Sequence, residues 1–405
     1  MKYEYHFLLI FISIVSIILL DFLLQLSFQN IIFADSRSYI GSAKGIYFYF
    51  AGNAYRPILM SFITGIPFLF GGNDNAIFTC SFWLNLFCWI SFFVIQFEIL
   101  RTFITTKLAF IFTLISILFV GNTFTVFHLL TENIFMLMVI LAFYFLIKYY
   151  QNNNFLNLSI ASSLIILSIL IKPGMKFFGI IFLIYYFKIL YVNYKSKFSI
   201  FIYSSLILIL IQCAGLKYQF GSFRISYIDA ITYYNYIGYK AHCIENELVY
   251  DEKPERLNYI YQKDFDSQLN LAYNDLFNQL KNNKINLIKA YCSNFLDNAT
   301  SGSLCVSECK NILKTKTFEN SKTIINKIII WQNIIFSFLS IILSIAVFIN
   351  YKKQQKLIIF IAFFIVYTIG TSAISCSQGN RFHVILFPFS IILLANFYGK
   401  IFNKN

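Results

Sequence analysis

Ten windows of largely apolar residues, each near the ~20 that a helix needs to cross a bilayer, constrain this chain more than any other feature. They lie at roughly 7–28, 76–99, 107–122, 127–147, 156–171, 175–192, 198–216, 328–349, 357–374 and 382–398. No soluble core could hide so much apolar surface, since 58% of the 405 residues are hydrophobic and only 12% are charged. Backbone polar groups cannot stay unpaired in hydrocarbon, and the runs show no period-2 alternation, so helices and not a β-barrel are expected. The expected fold class is an all-α polytopic membrane protein with about ten transmembrane helices, interfacial helices in the first outward loop and a small outward soluble lobe. No small-residue cleavage site follows the first window, so an uncleaved first helix is expected.

The net charge of +14 is informative through its distribution. With Lys2 inside, Arg101, Lys107, Lys148, Lys188, Lys195, Lys197, Lys352, Lys353, Lys356, Lys400 and Lys404 all fall in cytoplasmic connections, as the positive-inside bias requires. The basic balance therefore reflects topology, and no nucleic-acid partner is implied. Both termini are expected to be cytoplasmic, in a multi-pass protein of the cytoplasmic (inner) membrane. The organisation read from this is an N-terminal bundle over 1–216, an outward polar lobe over 217–327 and C-terminal membrane helices over 328–405. A long outward loop, 29–75, lies inside the first unit. Its aromatic pieces and the stretch from Pro57 to Phe70, broken by Gly65 and Pro67, read as helices lying in the interface plane. The lobe has a charged stretch, Asp251 to Arg256, and a helix-like run from Leu257 to about Leu296. Cys243, Cys292, Cys305 and Cys309 fall in the lobe, an even number in an oxidising compartment, and suggest one or two disulfides; a zinc site with His242 is the alternative reading.

The chain has no G-x-x-x-x-G-K-[ST], no H-E-x-x-H and no G-x-S-x-G, so ATP hydrolysis and zinc proteolysis lack their parts. What remains is a set of ionisable residues on the outer face. Asp35, beside the interface, could act as general base toward a hydroxyl, with desolvation raising its pKa, or could simply start a helix. Arg56, Lys172, Lys176 and Arg381 offer fixed positive charge for a phosphate, against the alternative of cations snorkelling at helix ends. Arg381 stands out, because the positive-inside bias gives no reason for a cation at an outward helix start. Glu132 lies at the outward start of the fourth window, where the helix dipole alone would favour a carboxylate. Tyr39, His128 and His383 are accessory candidates.

In order and position these pieces resemble the GT-C superfamily of polyprenyl-phosphate-dependent glycosyltransferases, which includes protein mannosyltransferases and the lipid A aminoarabinose transferase. Asp35-x-x-x-Tyr39-x-x-x-Ala43 looks like that family's catalytic first loop. Arg56-Pro57-Ile58-Leu59 and Phe70-Gly71-Gly72 are similar to its Arg-Pro-Pro-Leu and Phe-Gly positions. Leu130-Thr131-Glu132, Ile171-Lys172-Pro173 and Asn380-Arg381-Phe382 with Pro388 resemble later motifs, so that nearly the whole chain is covered. The resemblance implies an inverting transfer of a sugar from a polyprenyl-phosphate carrier to a glycan, lipid or protein acceptor at the outer membrane face. Asp35, alone or with Glu132, would be catalytic, and Arg56, Lys172, Lys176 and Arg381 would hold the donor phosphate. It implies no obligatory cofactor, with a divalent metal as an option, and membrane lipids as surroundings. A flippase for lipid-linked oligosaccharide and an outer-face oligosaccharide polymerase are the rival readings.

Overall fold

The computed structural model describes residues 4–24, 34–250, 255–307, 309, 315–375 and 378–402. The stretch Asp251 to Pro254, the two chain ends and residues 25–33, where the first apolar window ends and the long loop begins, lie outside the described residues. Among the described residues the only regular secondary structure is helix, and there is no strand. Seven helices are long and apolar enough to cross a membrane: Glu4–Leu24, Asp74–Leu100, Glu132–Asn152, Pro173–Val192, Lys197–Phe220, Lys316–Ile349 and Gly379–Ile401. A pair, Thr106–Ile117 and Val120–Phe127, bent by 62°, makes an eighth if it is counted as one span. Phe155–Ile169 and Lys356–Ser372 are shorter apolar helices of 15 and 17 residues.

Packing follows the spacing of side chains along each helix. On Glu4–Leu24 the buried residues are Leu9, Ser13, Ile17, Leu20 and Leu24, a single stripe at helical spacing. Phe7, Phe11, Ile18 and Phe22 on the other side are exposed, as suits a helix that faces lipid. Gly379–Ile401 and Glu132–Asn152 are the most enclosed of the long helices, and Phe389 of the one touches Phe143 of the other at 5.8 Å between ring centroids. Lipid tails are as apolar as leucine, so small and polar side chains fix register between helices. Ser340 meets Ser390 at 2.5 Å, Gln96 Nε2 donates to the Pro388 carbonyl at 2.8 Å, and His383 sits between Ser337 (2.8 Å) and Ser372 (3.1 Å).

The expected third span is the one that departs from a straight helix. Where it bends, Gln332 of the Lys316–Ile349 helix accepts from the Val120 N–H at 3.1 Å and donates to the Leu118 carbonyl at 2.8 Å. One amide thus satisfies both backbone groups that the bend releases.

At one end of the bundle His6 and Arg101 meet Glu98 at 2.7 and 2.8 Å, and Lys400 donates to the Lys353 carbonyl at 2.9 Å. The opposite end carries Ala34–Tyr49, Ile58–Thr64 and the described residues between Phe220 and Lys316. The run from Leu257 to Leu296 is not one helix but three, Glu255–Tyr261, Phe265–Asn282 and Lys284–Thr300. Asp264 starts the second by accepting from the Ser267 N–H at 2.9 Å, and Asn283 ends it. These helices bury Ile260, Leu269 and Ala272 against Tyr227, Leu216 and Ala54, so the lobe is packed onto the first loop and the bundle. Among the described residues the expected disulfides are not formed, and Cys243, Cys292 and Cys309 carry free thiols. Cys243 is buried while Cys292 is exposed on its helix.

Candidate functional site

Five of the six charged residues that the sequence offers for catalysis or phosphate binding meet in one ion-pair chain. Asp35 lies in the first turn of Ala34–Tyr49, held there by the buried Ser36 hydroxyl, which donates to the Leu129 carbonyl at 3.2 Å. Arg56 follows a turn in which the Asn53 side chain accepts from the Tyr55 and Arg56 N–H groups, each at 2.9 Å. The lobe pins that turn, since the Tyr227 N–H donates to the Ala54 carbonyl at 2.8 Å. Arg56 then spans Asp35 Oδ1 at 2.5 Å and Ser38 Oγ at 2.8 Å, with its guanidinium over the Tyr39 ring at 4.9 Å.

Arg381 approaches from the far end of the sequence. Its loop needs Gly379 at φ +60°, where an added Cβ would lie 2.2 Å from the Gly302 carbonyl oxygen. The loop is anchored by Asn380 N–H to that same carbonyl at 3.1 Å and by Gln378 N–H to Asn298 Oδ1 at 3.0 Å. Arg381 donates to Asp35 Oδ2 at 2.6 Å, to Glu132 Oε1 at 2.8 Å and to Gln378 at 2.8 Å. Lys172 completes the chain, reaching Glu132 Oε1 at 3.1 Å from a position fixed by Pro173, which opens the next turn. The order is Arg56, Asp35, Arg381, Glu132, Lys172: three cations against two carboxylates, hence one net positive charge.

Burial is deep. Glu132 is fully buried and Arg381 is 6% exposed. Charges so placed persist only because each has an opposite partner. Burial alone would raise the Asp35 carboxyl, as the sequence suggests, but Arg381 and Arg56 outweigh it and hold the group at about 2. Burial pulls the Lys172 ammonium below its usual value, and Glu132 opposes that pull. Glu132 Oε2 is buried with no hydrogen-bond partner.

The network opens onto a cavity of about 310 Å³, at the small end of the ~300–1,000 Å³ usual for ligand sites. Asp35, Tyr39, Arg56, Glu132, Lys172 and Arg381 all line it. Lys176 lines it too but stands apart from the other cations, paired with Asp229 of the lobe. His128 and His383 do not line it. Burial drives the His128 imidazole down to about 3, so it is a neutral packing group, with its carbonyl accepting from Asn85 at 2.6 Å. Both nitrogens of His383 are engaged by serines within the bundle.

Among the described residues no three His, Cys, Asp or Glu side chains gather as a metal-binding group. The option of a divalent metal, and the zinc alternative in the lobe, therefore find no ready set of donors there; Asp35 and Glu132 share an arginine instead. Sequence reasoning missed Asp229, Tyr233, Tyr236 and Gln378, which also line the cavity. The first three sit in polar lobe sequence with no motif around them, and only their position after the seventh apolar window hints at the membrane face. Comparison with family models, curated proteins and solved structures found no match.

Proposed function

We propose that this chain is a membrane glycosyltransferase that moves a sugar from a polyprenyl-phosphate carrier to an acceptor at the outer face of the cytoplasmic membrane, with inversion. In this reading the protein crosses the membrane ten times, the two short apolar helices and the bent pair included, with both termini inside. The observation that carries it is the convergence of Asp35, Arg56, Glu132, Lys172 and Arg381, drawn from four separate stretches of the sequence, on one cavity with an excess of positive charge. These ionisable groups lie at one end of the bundle and are not strung along its length as a conduction path would require, which supports an enzyme over a flippase.

The resting contacts suggest how the reaction proceeds. Each oxygen of Asp35 is held by one arginine, so the carboxylate is too weak a base while those contacts last. The donor phosphate presents oxygens of the same kind to the same two guanidinium groups. When it takes them over, Asp35 is freed beside the acceptor hydroxyl and regains basicity. The acceptor oxygen attacks the anomeric carbon, its proton passes to Asp35, and the bond from that carbon to the phosphate oxygen breaks. The leaving lipid phosphate gains one negative charge, which Arg56, Arg381 and Lys172 stabilise more strongly than they stabilise the donor. Glu132 keeps Arg381 and Lys172 charged and aimed. Purified protein in nanodiscs, given lipid-linked sugar and acceptor, should lose transfer on Asp35→Asn while staying folded. Near wild-type transfer in that variant would remove Asp35 as the base.

A further inference from the structure

The cavity has a second end that the reaction above does not use. Asp229 sits on the turn Ile228–Ile231, which runs into a π-helical segment, Thr232–Gly238. A π-turn is strained relative to an α-turn and recurs where side chains must be aimed at a ligand. Here it presents Thr232, Tyr233 and Tyr236 to the cavity, facing Thr368 and Thr371 of the Lys356–Ser372 helix. Thr368 Oγ1 is buried with no hydrogen-bond partner. Burial and the Asp229 charge push the Tyr233 hydroxyl up to about 12, so it stays a neutral donor. Lys176 is neutralised by Asp229, which leaves this end without the net positive charge of the arginine end.

We infer that the Lys176–Asp229 end of the cavity, with Tyr233 and Thr368, is a saccharide subsite. A carboxylate that accepts from hydroxyls, an ammonium that donates to them, an unsatisfied threonine hydroxyl and aromatic faces suited to the C–H side of a pyranose ring form a set that recognises a neutral polyol. It suits neither an anion, which Asp229 repels, nor an alkyl chain, which would leave the ion pair without hydrogen-bonding company. The inference rests on the transferase reading for which reaction the sugar belongs to, but the binding chemistry stands on these residues. The lobe is what makes the subsite, since Asp229 and Tyr233 come from it.

The test uses full-length protein in nanodiscs and a set of methyl glycosides (glucoside, mannoside, galactoside and N-acetylglucosaminide), read by saturation-transfer NMR. At least one glycoside should bind, and Asp229→Asn or Tyr233→Ala should weaken it by about tenfold or more, whereas Lys352→Ala at the other end of the bundle should not. If Asp229→Asn fails to fold, Tyr233→Phe and Thr368→Val, which keep shape and remove one hydroxyl each, must weaken binding measurably. Glycoside binding that survives saturating polyprenyl phosphoglucose assigns the subsite to the acceptor; displacement assigns it to the donor sugar. The inference is overturned if no glycoside binds, or if the folded variants bind as wild type does. Polyprenyl phosphate is titrated in parallel: if it binds while every glycoside fails, the subsite falls and the transferase reading stands, and if neither binds, both fall.

Discussion

Asp35 is the residue whose surroundings most change its chemistry. With each oxygen on a guanidinium, it competes with any incoming phosphate for the same donors. Asp35→Asn should therefore tighten binding of polyprenyl phosphate by about tenfold, equivalent to ~1.4 kcal/mol, even as transfer disappears. A lipid-binding titration decides this, and equal affinity would show that carboxylate and phosphate do not share the arginines. Arg381 is the opposite case, a buried cation held by two carboxylates. Arg381→Met should cost about 3–5 kcal/mol by leaving Glu132 poorly paired. Arg381→Lys should recover much of that stability but little transfer, because one ammonium cannot reproduce the fork that joins Asp35 to Glu132. Thermal unfolding and the transfer assay separate the two effects.

His128 gives a pH signature with a definite sign. Its folded-state value of about 3 lies below the ordinary 6.5, so the unfolded chain takes up the proton first. The stability it contributes is complete above pH ~6.5 and declines toward pH ~3 by up to ~1.4 kcal/mol per pH unit. Asp35, held at about 2, adds a loss only below its unfolded value near 3.8. Unfolding midpoints measured from pH 7 down to 4 should therefore fall less in His128→Asn than in wild type; parallel curves would contradict this.

At the scale of elements, the bend in the third apolar window places the start of Glu132–Asn152 at the cavity. The bend falls at Leu118 and Phe119, inside an apolar run, and the nearest break signal in the sequence, Gly121-Asn122, lies after it. The bend persists because Gln332, on a helix more than two hundred residues away, closes the two released backbone groups. Gln332→Leu would leave both without a partner in an apolar setting, at about 1–3 kcal/mol each. It should lower the unfolding temperature and weaken transfer together, whereas Gln332→Glu, which keeps the acceptor for Val120, should do less harm. The lobe's three helices show a related limit. Their boundaries rest on single caps at Asp264 and Asn283, which a long polar helical pattern conceals.

For the whole molecule, sidedness is the property on which the proposed function depends. Cys292 is an exposed free thiol in the lobe, so a membrane-impermeant maleimide added to intact cells should label it. A cysteine introduced at Lys195 or Lys352 should react only after permeabilisation. The reverse pattern would invert the topology and remove the site from the outer face.

Apolar windows and their basic flanks were enough to call a helical, multi-pass membrane protein, because the solvent preference of a twenty-residue run is a local sum over its side chains. Asp35, Arg56, Glu132, Lys172 and Arg381 were legible as candidates for the same reason: an ionisable group beside an apolar run is costly wherever the chain goes. Their pairing was not legible. Which carboxylate meets which cation depends on how helices cross, and that is set by packing between segments up to 346 residues apart. The same long-range packing separated Lys176 from the other cations by bringing Asp229 to it, and turned Asp35 from a carboxyl raised by burial into one held ionised by two arginines. Local sequence sets what each segment will tolerate around it; the electric field at a site is a sum over neighbours that only the folded chain brings together.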